Sequence, residues 1–189
     1  MIQRSKIEQL LESNQKVFSI EDLAHIWSEN DFVKVKELAG YYADNNRIFR
    51  IKNGLYSVIE KPDILEVAQH LVSPSYISYH TALSIHGINF QFYSDIHCIS
   101  HRKRIIKVQG STVIYHQIKP EILFNPIGIM AEKGYNLASP ERAMCDSLYL
   151  SPGLGFDNLN KINVETLFEI AEIYSNKTLV KSLHKYFPN

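Results

Sequence analysis

Arg47-Ile48-Phe49-Arg50-Ile51-Lys52-Asn53-Gly54-Leu55-Tyr56-Ser57-Val58-Ile59 is the stretch whose reading decides the fold. Two runs rich in β-branched and aromatic residues flank Lys52-Asn53-Gly54. Asn-Gly between such runs is a strong short-range signal for a β-hairpin. Upstream, the pattern is helical. Ile7, Leu10 and Leu11 make an apolar stripe over residues 3–13. Val17-Phe18 is a short apolar link. Ser19-Ile20-Glu21-Asp22 has the form of a capping box, and a helix follows through Leu23, Ala24 and Trp27 before breaking at Ser28-Glu29-Asn30. Asn30 or Asp31 caps a third helix, whose inward stripe is Val35, Leu38, Ala39 and Tyr42 and which stops at Asp44-Asn45-Asn46.

Three helices followed by a tight hairpin is the order of a winged helix-turn-helix, in which the third helix enters a major groove and the hairpin is the wing. The same pattern also fits a small helical subdomain with a hairpin that binds nothing. Glu60-Lys61-Pro62 marks a change of style, so the expected division is a winged helix-turn-helix over 1–60 and an α+β domain over 61–189.

The second segment opens with a helix near Asp63–Val72, cut off at Ser73-Pro74. Ser78 caps another helix, ended by Gly87. Strands follow within residues 93–118, including Ile96–Ile99, Ile105–Val108 and Thr112–Tyr115, with a turn at Gln109-Gly110-Ser111. A further extended piece falls at Tyr135–Ala138. Ser139-Pro140 opens a helix as N-cap and first helical residue. Two more helices lie around 163–174 and 176–187. The expected fold class is α+β, with a small antiparallel sheet in the second domain.

The 189 residues include 45% hydrophobic and 21% charged side chains, enough apolar surface for a core and too few charges for a disordered chain. Lys+Arg and Asp+Glu are 20 each, so a carrier of bulk positive charge is excluded, though local basic patches are not. Two cysteines, Cys98 and Cys145, exclude a disulfide scaffold or a four-cysteine zinc site. No apolar run is long enough to span a membrane, and Met1–Glu12 carries no signal core. A cytoplasmic protein is expected.

Three stretches carry a resemblance: the wing end Asn53-Gly54-Leu55-Tyr56, then Tyr76-Ile77-Ser78-Tyr79-His80-Thr81-Ala82-Leu83-Ser84-Ile85-His86-Gly87-Ile88, then Ala138-Ser139-Pro140-Glu141-Arg142-Ala143-Met144-Cys145-Asp146-Ser147-Leu148-Tyr149-Leu150. Over roughly residues 17–150 the chain resembles the AbiEi-type antitoxins, the transcriptional-regulator half of type IV toxin–antitoxin pairs linked to phage defence. The second and third stretches are the more specific. The resemblance implies a winged helix that binds operator DNA upstream of its own operon and represses transcription. It also implies a C-terminal domain that counters a nucleotidyltransferase-like toxin without a stable complex.

Residues 1–59 hold eight basic and eight acidic side chains, so position matters more than count. With Val35, Leu38, Ala39 and Tyr42 inward, a step of about 100° per residue puts Val33, Glu37, Gly40 and Asp44 opposite. Lys34 and Lys36 flank that face and can reach phosphates. Val33 can meet a thymine methyl and Glu37 a cytosine amino group. Asp44 is repelled by phosphate. The wing adds Arg47, Arg50, Lys52 and Asn53, with no acid among residues 45–59. A secondary basic patch is expected from Arg102, Lys103, Arg104 and Lys107, in a segment without acids between Asp95 and Glu121, and from Lys177, Lys181 and Lys185, spaced along one helix face. Ordinary solvated charge and edge-strand protection account for these cations equally well.

No cofactor, metal or catalytic residue is expected, and the chain does not read as an enzyme. His97, Cys98, His101 and His116 match no common zinc spacing. There is no Glu-x-Lys or Asp-x-Lys of a restriction-type nuclease, and no phosphate-cradling glycine loop. Arg142 and Asp146 fit an i, i+4 ion pair or a polar anchor between domains. The rival reading is a winged-helix interaction protein whose basic second domain binds RNA or a protein partner, without sequence-specific repression.

Overall fold

The structure, a computed structural model, describes residues 4–91 and 94–188. The ends of two sequence expectations, the helix over 3–13 and the extended segment over 93–118, therefore lie outside the described residues. The chain is α+β and divides into two units, residues 1–71 and 72–189.

In the first unit, α1 (Lys6–Glu12) leads to β1 (Val17–Ser19), α2 (Ile20–Ile26) and α3 (Phe32–Asp44). The capping box expected at Ser19 is present: Ser19 Oγ accepts from the Asp22 N–H, and the Asp22 carboxylate accepts from the Ser19 N–H at 2.8 Å. Asp31, rather than Asn30, caps α3 by accepting from the Val33 and Lys34 N–H groups. Trp27 donates its indole N–H to the Lys6 carbonyl, and the Lys6 ammonium reaches the Trp27 carbonyl, so α1 and α2 are tied at both ends of one contact. The core is Leu10, Phe18, Leu23, Trp27, Val35, Ala39, Ile48 and Tyr56. Burial of each larger side chain contributes about 1.5–3 kcal/mol, which outweighs the weak intrinsic stability of helices this short.

The hairpin consists of β2 (Phe49–Lys52) and β3 (Leu55–Ser57). Gly54 takes φ +80 in the turn, a conformation that a side chain would strain. The register slips between Arg50 and Lys52. β1 pairs antiparallel with β3, Phe18 opposite Tyr56, giving a three-stranded sheet in the order β1-β3-β2.

A further helix, α4 (Ile64–Leu71), falls in the first unit, which ends at Leu71. A buried carboxylate ties it to the start of β1. Glu66 accepts from the Lys16 N–H at 2.6 Å and the Val17 N–H at 3.0 Å, satisfying donors at the start of β1. Val67 and Ala68 bury the apolar face of the same helix.

The second unit runs β4 (Ser75–Ile77), α5 (Tyr79–Ile85), β5 (Ile96–Ser100), β6 (Arg104–Val108), β7 (Ser111–Gln117), α6 (Pro120–Leu123), β8 (Ile129–Ala131), β9 (Asn136–Ala138), α7 (Pro140–Leu150), α8 (Val164–Glu172) and α9 (Lys177–Tyr186). Its sheet corrects the expectation of a small antiparallel one. Six strands run in the order β6-β7-β5-β4-β9-β8, and two neighbouring pairs, β5/β7 and β4/β9, are parallel. The turn at Gln109-Gly110 has positive φ at both residues, as a tight two-residue hairpin requires. α7 starts as expected, with Ser139 Oγ accepting from the Arg142 N–H and Pro140 in the first turn. Among the described residues no helix is long and apolar enough to cross a membrane.

Candidate nucleic-acid interface

α3 is held from one side only. Val35 and Ala39 are fully buried and Leu38 and Tyr42 partly so, which leaves the opposite face open. Val33, Lys34, Lys36 and Glu37 are all exposed, Val33 by 64%. Phe32 and Tyr41, which the stripe alone did not single out, are 49% and 62% exposed. Phe32, Val33 and Tyr41 thus place apolar surface outside the stripe that packs on the core. Lys34 leans back toward the cap, its ammonium 3.8 Å from the Asp31 carboxylate, whereas Lys36 has no ion pair among the described residues.

The hairpin beside it presents Arg47, Lys52 and Asn53 to solvent. Arg50 behaves differently from the other two cations. Its guanidinium lies against Gly40, where a Cβ would meet Arg50 Nη2 at 3.5 Å, and reaches within 3.7 Å of the Asp44 carboxylate. The same group sits 5.7 Å from the centre of the Tyr56 ring. The hairpin's own arginine thus passes at contact distance over Gly40. Arg50 crosses the C-terminal half of the outward face of α3, and its charge is partly answered within the unit. The open part of that face is the N-terminal half, around Val33, Lys36 and Glu37.

The cations of the secondary patch fall on two separate elements of the second unit. Arg102 and Lys103 sit in the turn before β6, and Arg104 and Lys107 on β6 itself, an edge strand of the sheet; all four are exposed. Ile105 between them is 63% exposed. Lys177, Lys181 and Lys185 line the outer face of α9, opposite the buried Leu179 and Leu183.

The second and third stretches that carry the family resemblance meet inside this unit. Asp146 accepts hydrogen bonds from Ser78 Oγ at 2.7 Å, Tyr174 Oη at 2.6 Å and Tyr76 Oη at 3.1 Å. Arg142, one turn earlier, donates to the carbonyls of Ile122 at 2.6 Å and Ile127 at 2.8 Å and to Tyr76 Oη at 3.2 Å. Arg142 and Asp146 are both fully buried, and Arg142 Nε stands 3.8 Å from the carboxylate. Burial raises the Asp146 carboxyl above its ordinary value, while Arg142 and the three hydroxyl donors hold it down. Burial also keeps the Tyr76 and Tyr174 hydroxyls protonated, so both remain donors. The sequence had suggested an i, i+4 pair or an anchor between domains. The geometry is a closed polar centre within one unit, and it accounts for these residue types by internal packing.

Beside that centre, Tyr79 has φ +54 and packs among three histidines. His97 Nδ1 and His116 Nε2 share a hydrogen bond of 2.9 Å, with the rings stacked at 10° and 5.2 Å, and the His80 ring stands 5.1 Å from His97. Burial lowers His97 to about 3 and His116 to about 4, helped by their mutual repulsion with His80 and, for His116, by Lys103. All are neutral at pH 7, so one ring donates to the other. Among the described residues no group of three or more His, Cys, Asp or Glu side chains is placed to hold a metal ion.

Sequence periodicity missed three features here: the exposure of Phe32 and Tyr41, the fold-back of Arg50, and the convergence of Tyr76, Ser78 and Tyr174 on Asp146. Only the first left a trace, since Phe32 and Tyr41 fall outside the apolar stripe. No family model matches the chain, and no curated protein shows significant similarity to it.

Proposed function

We propose that the first unit is a winged helix-turn-helix that binds duplex DNA, with α3 in the major groove and the β2–β3 hairpin as the wing. The observation that carries this reading is the one-sided burial of α3 beside a hairpin with exposed cations at both ends, Arg47 just before β2 and Lys52 at its turn, and no acid among residues 45–59. The element order α1-β1-α2-α3-β2-β3 and the strand order β1-β3-β2 suit such a module. The chain then acts as a transcriptional repressor of its own operon. Its role as the antitoxin of a type IV toxin–antitoxin system, opposing a nucleotidyltransferase-like toxin in the cytoplasm, rests on the three sequence stretches alone.

Gel-shift titration against the duplex immediately upstream of its own reading frame tests the reading. Binding is expected, and reversing Arg47 and Lys52 to Glu together should weaken it on every sequence and flatten its salt dependence by about two counterions' worth. A fragment that never shifts removes the repressor reading. The basic β6 edge with its exposed Ile105 favours, as a second reading, a protein or RNA partner for the second unit.

A further inference from the structure

α3 has the sequence Phe32-Val33-Lys34-Val35-Lys36-Glu37-Leu38-Ala39-Gly40-Tyr41-Tyr42-Ala43-Asp44, without a single Arg, Asn or Gln. Arg and Lys read guanine and Asn and Gln read adenine in the major groove, so α3 keeps only Lys34, drawn toward Asp31, and Lys36, on a flank, for such contacts. The C-terminal half of the outward face is crossed by Arg50, which lies over Gly40 and pairs with Asp44. What remains in the middle of the open half is Val33, with Glu37 one turn on and Phe32 and Lys36 on one flank. Val33 is 64% and Phe32 49% exposed, and neither is among the described residues that pack on the core of the first unit. Asp31 fixes both by capping the first turn.

We infer that α3 reads duplex DNA chiefly through thymine methyl groups, with Val33 as the central specificity-determining residue and Phe32 as its lateral support. This rests on the DNA-binding reading of the first unit and deepens it. The chemistry follows from what a base edge offers. In the major groove only thymine presents an apolar group, its C5-methyl, and only apolar side chains gain from covering it. Val33 and Glu37 are separated by about 6 Å along the helix axis, roughly two base-pair steps. Glu37 therefore faces a second position close to the first, where a cytosine amino group is the only major-groove donor on a pyrimidine and a phosphate is excluded by charge. Lys36 on the flank is left for the backbone. Arg47 and Lys52 on the hairpin add affinity that does not depend on sequence.

The test uses the full chain and duplexes that it selects from a randomised pool. Each thymine in a selected duplex is replaced in turn by deoxyuridine, which removes the methyl and leaves every hydrogen-bonding group in place. At one or two positions the replacement should weaken binding about fourfold, the effect of one buried methyl-sized group. Val33→Ala is a surface change that leaves the fold intact, and in this variant the same positions should lose their sensitivity. A selected duplex whose affinity is flat across the deoxyuridine scan overturns the inference while leaving DNA binding standing. So does a scan whose sensitive positions are unchanged in Val33→Ala. A pool that binds but yields no enriched duplex overturns the inference alone, and a chain that retains no duplex at any salt overturns the DNA-binding reading beneath it as well.

Discussion

Arg50 of the hairpin and Asp44 of α3 approach within 3.7 Å across a glycine, so one of the hairpin's cations is engaged by the helix next to it. Both side chains are largely exposed, and the pair itself adds little to stability. Its weight falls on charge instead. Asp44→Asn removes an acid from the outward face and releases Arg50 toward solvent. If the first unit binds DNA, this variant should bind any duplex about three- to tenfold more tightly at low salt, with a salt slope steeper by about one. Titrations at several salt concentrations measure both quantities. An unchanged slope means that Arg50 stays on the helix.

The polar centre around Asp146 predicts large losses of stability from small changes. Asp146→Ala strips a fully buried guanidinium of its counter-charge and should cost about 3–5 kcal/mol. Tyr174→Phe removes a single donor to the carboxylate and should cost about 1–3 kcal/mol. Urea unfolding followed by the second unit's own signal gives both values. If Asp146→Ala costs no more than a surface substitution, the buried pair is not what the geometry says it is.

Glu66 predicts where the first unit ends. A fragment of residues 1–71 keeps the carboxylate that satisfies the Lys16 and Val17 N–H groups, and a fragment of 1–60 lacks it. Only the longer fragment should unfold cooperatively, and Glu66→Ala in the full chain should cost about 1–3 kcal/mol. Circular dichroism melts of the two fragments decide the matter.

The histidine cluster predicts a loss of stability in acid. His97 and His116 are held at about 3 and about 4 in the folded chain, below the ordinary 6.5 that they regain on unfolding, and His80 is lowered as well. The unfolded chain therefore takes up protons first as pH falls. Stability from these groups is fully present above pH 6.5 and is lost progressively between pH 6.5 and about pH 3. The urea midpoint should drop across that window, and His116→Gln should reduce the drop. An equal drop in that variant assigns the acid sensitivity to other groups.

The elements that the sequence reveals are those whose signals are local. The stripe Val35-Leu38-Ala39-Tyr42 is a periodicity within one helix, Asn53-Gly54 is a turn made by its own backbone, and Ser139-Pro140 is a cap within one turn. β4 left no such trace. Ser75-Tyr76-Ile77 is buried on both faces, so it lacks the alternation that marks a half-exposed strand, and its partners β5 and β9 are distant in sequence. Ser78 misled in a different way. It stands at the N-cap of α5 but makes no capping bond, because its hydroxyl is drawn to Asp146 instead. The candidate interface was legible as a set of residues. The position of Arg50 over Gly40 was not, since it depends on how two elements meet rather than on either one.

Glu66 also bears on what this chain avoids. An outermost strand with bare amide groups invites an extended segment from another molecule to zip onto it, and that contact can repeat without end. A carboxylate planted on the Val17 amide, at the start of β1, from a helix of the same unit turns the invitation away there. Loss of Glu66 should thus appear in concentrated solution as self-association that grows with time, even where dilute samples show only a modest fall in melting temperature.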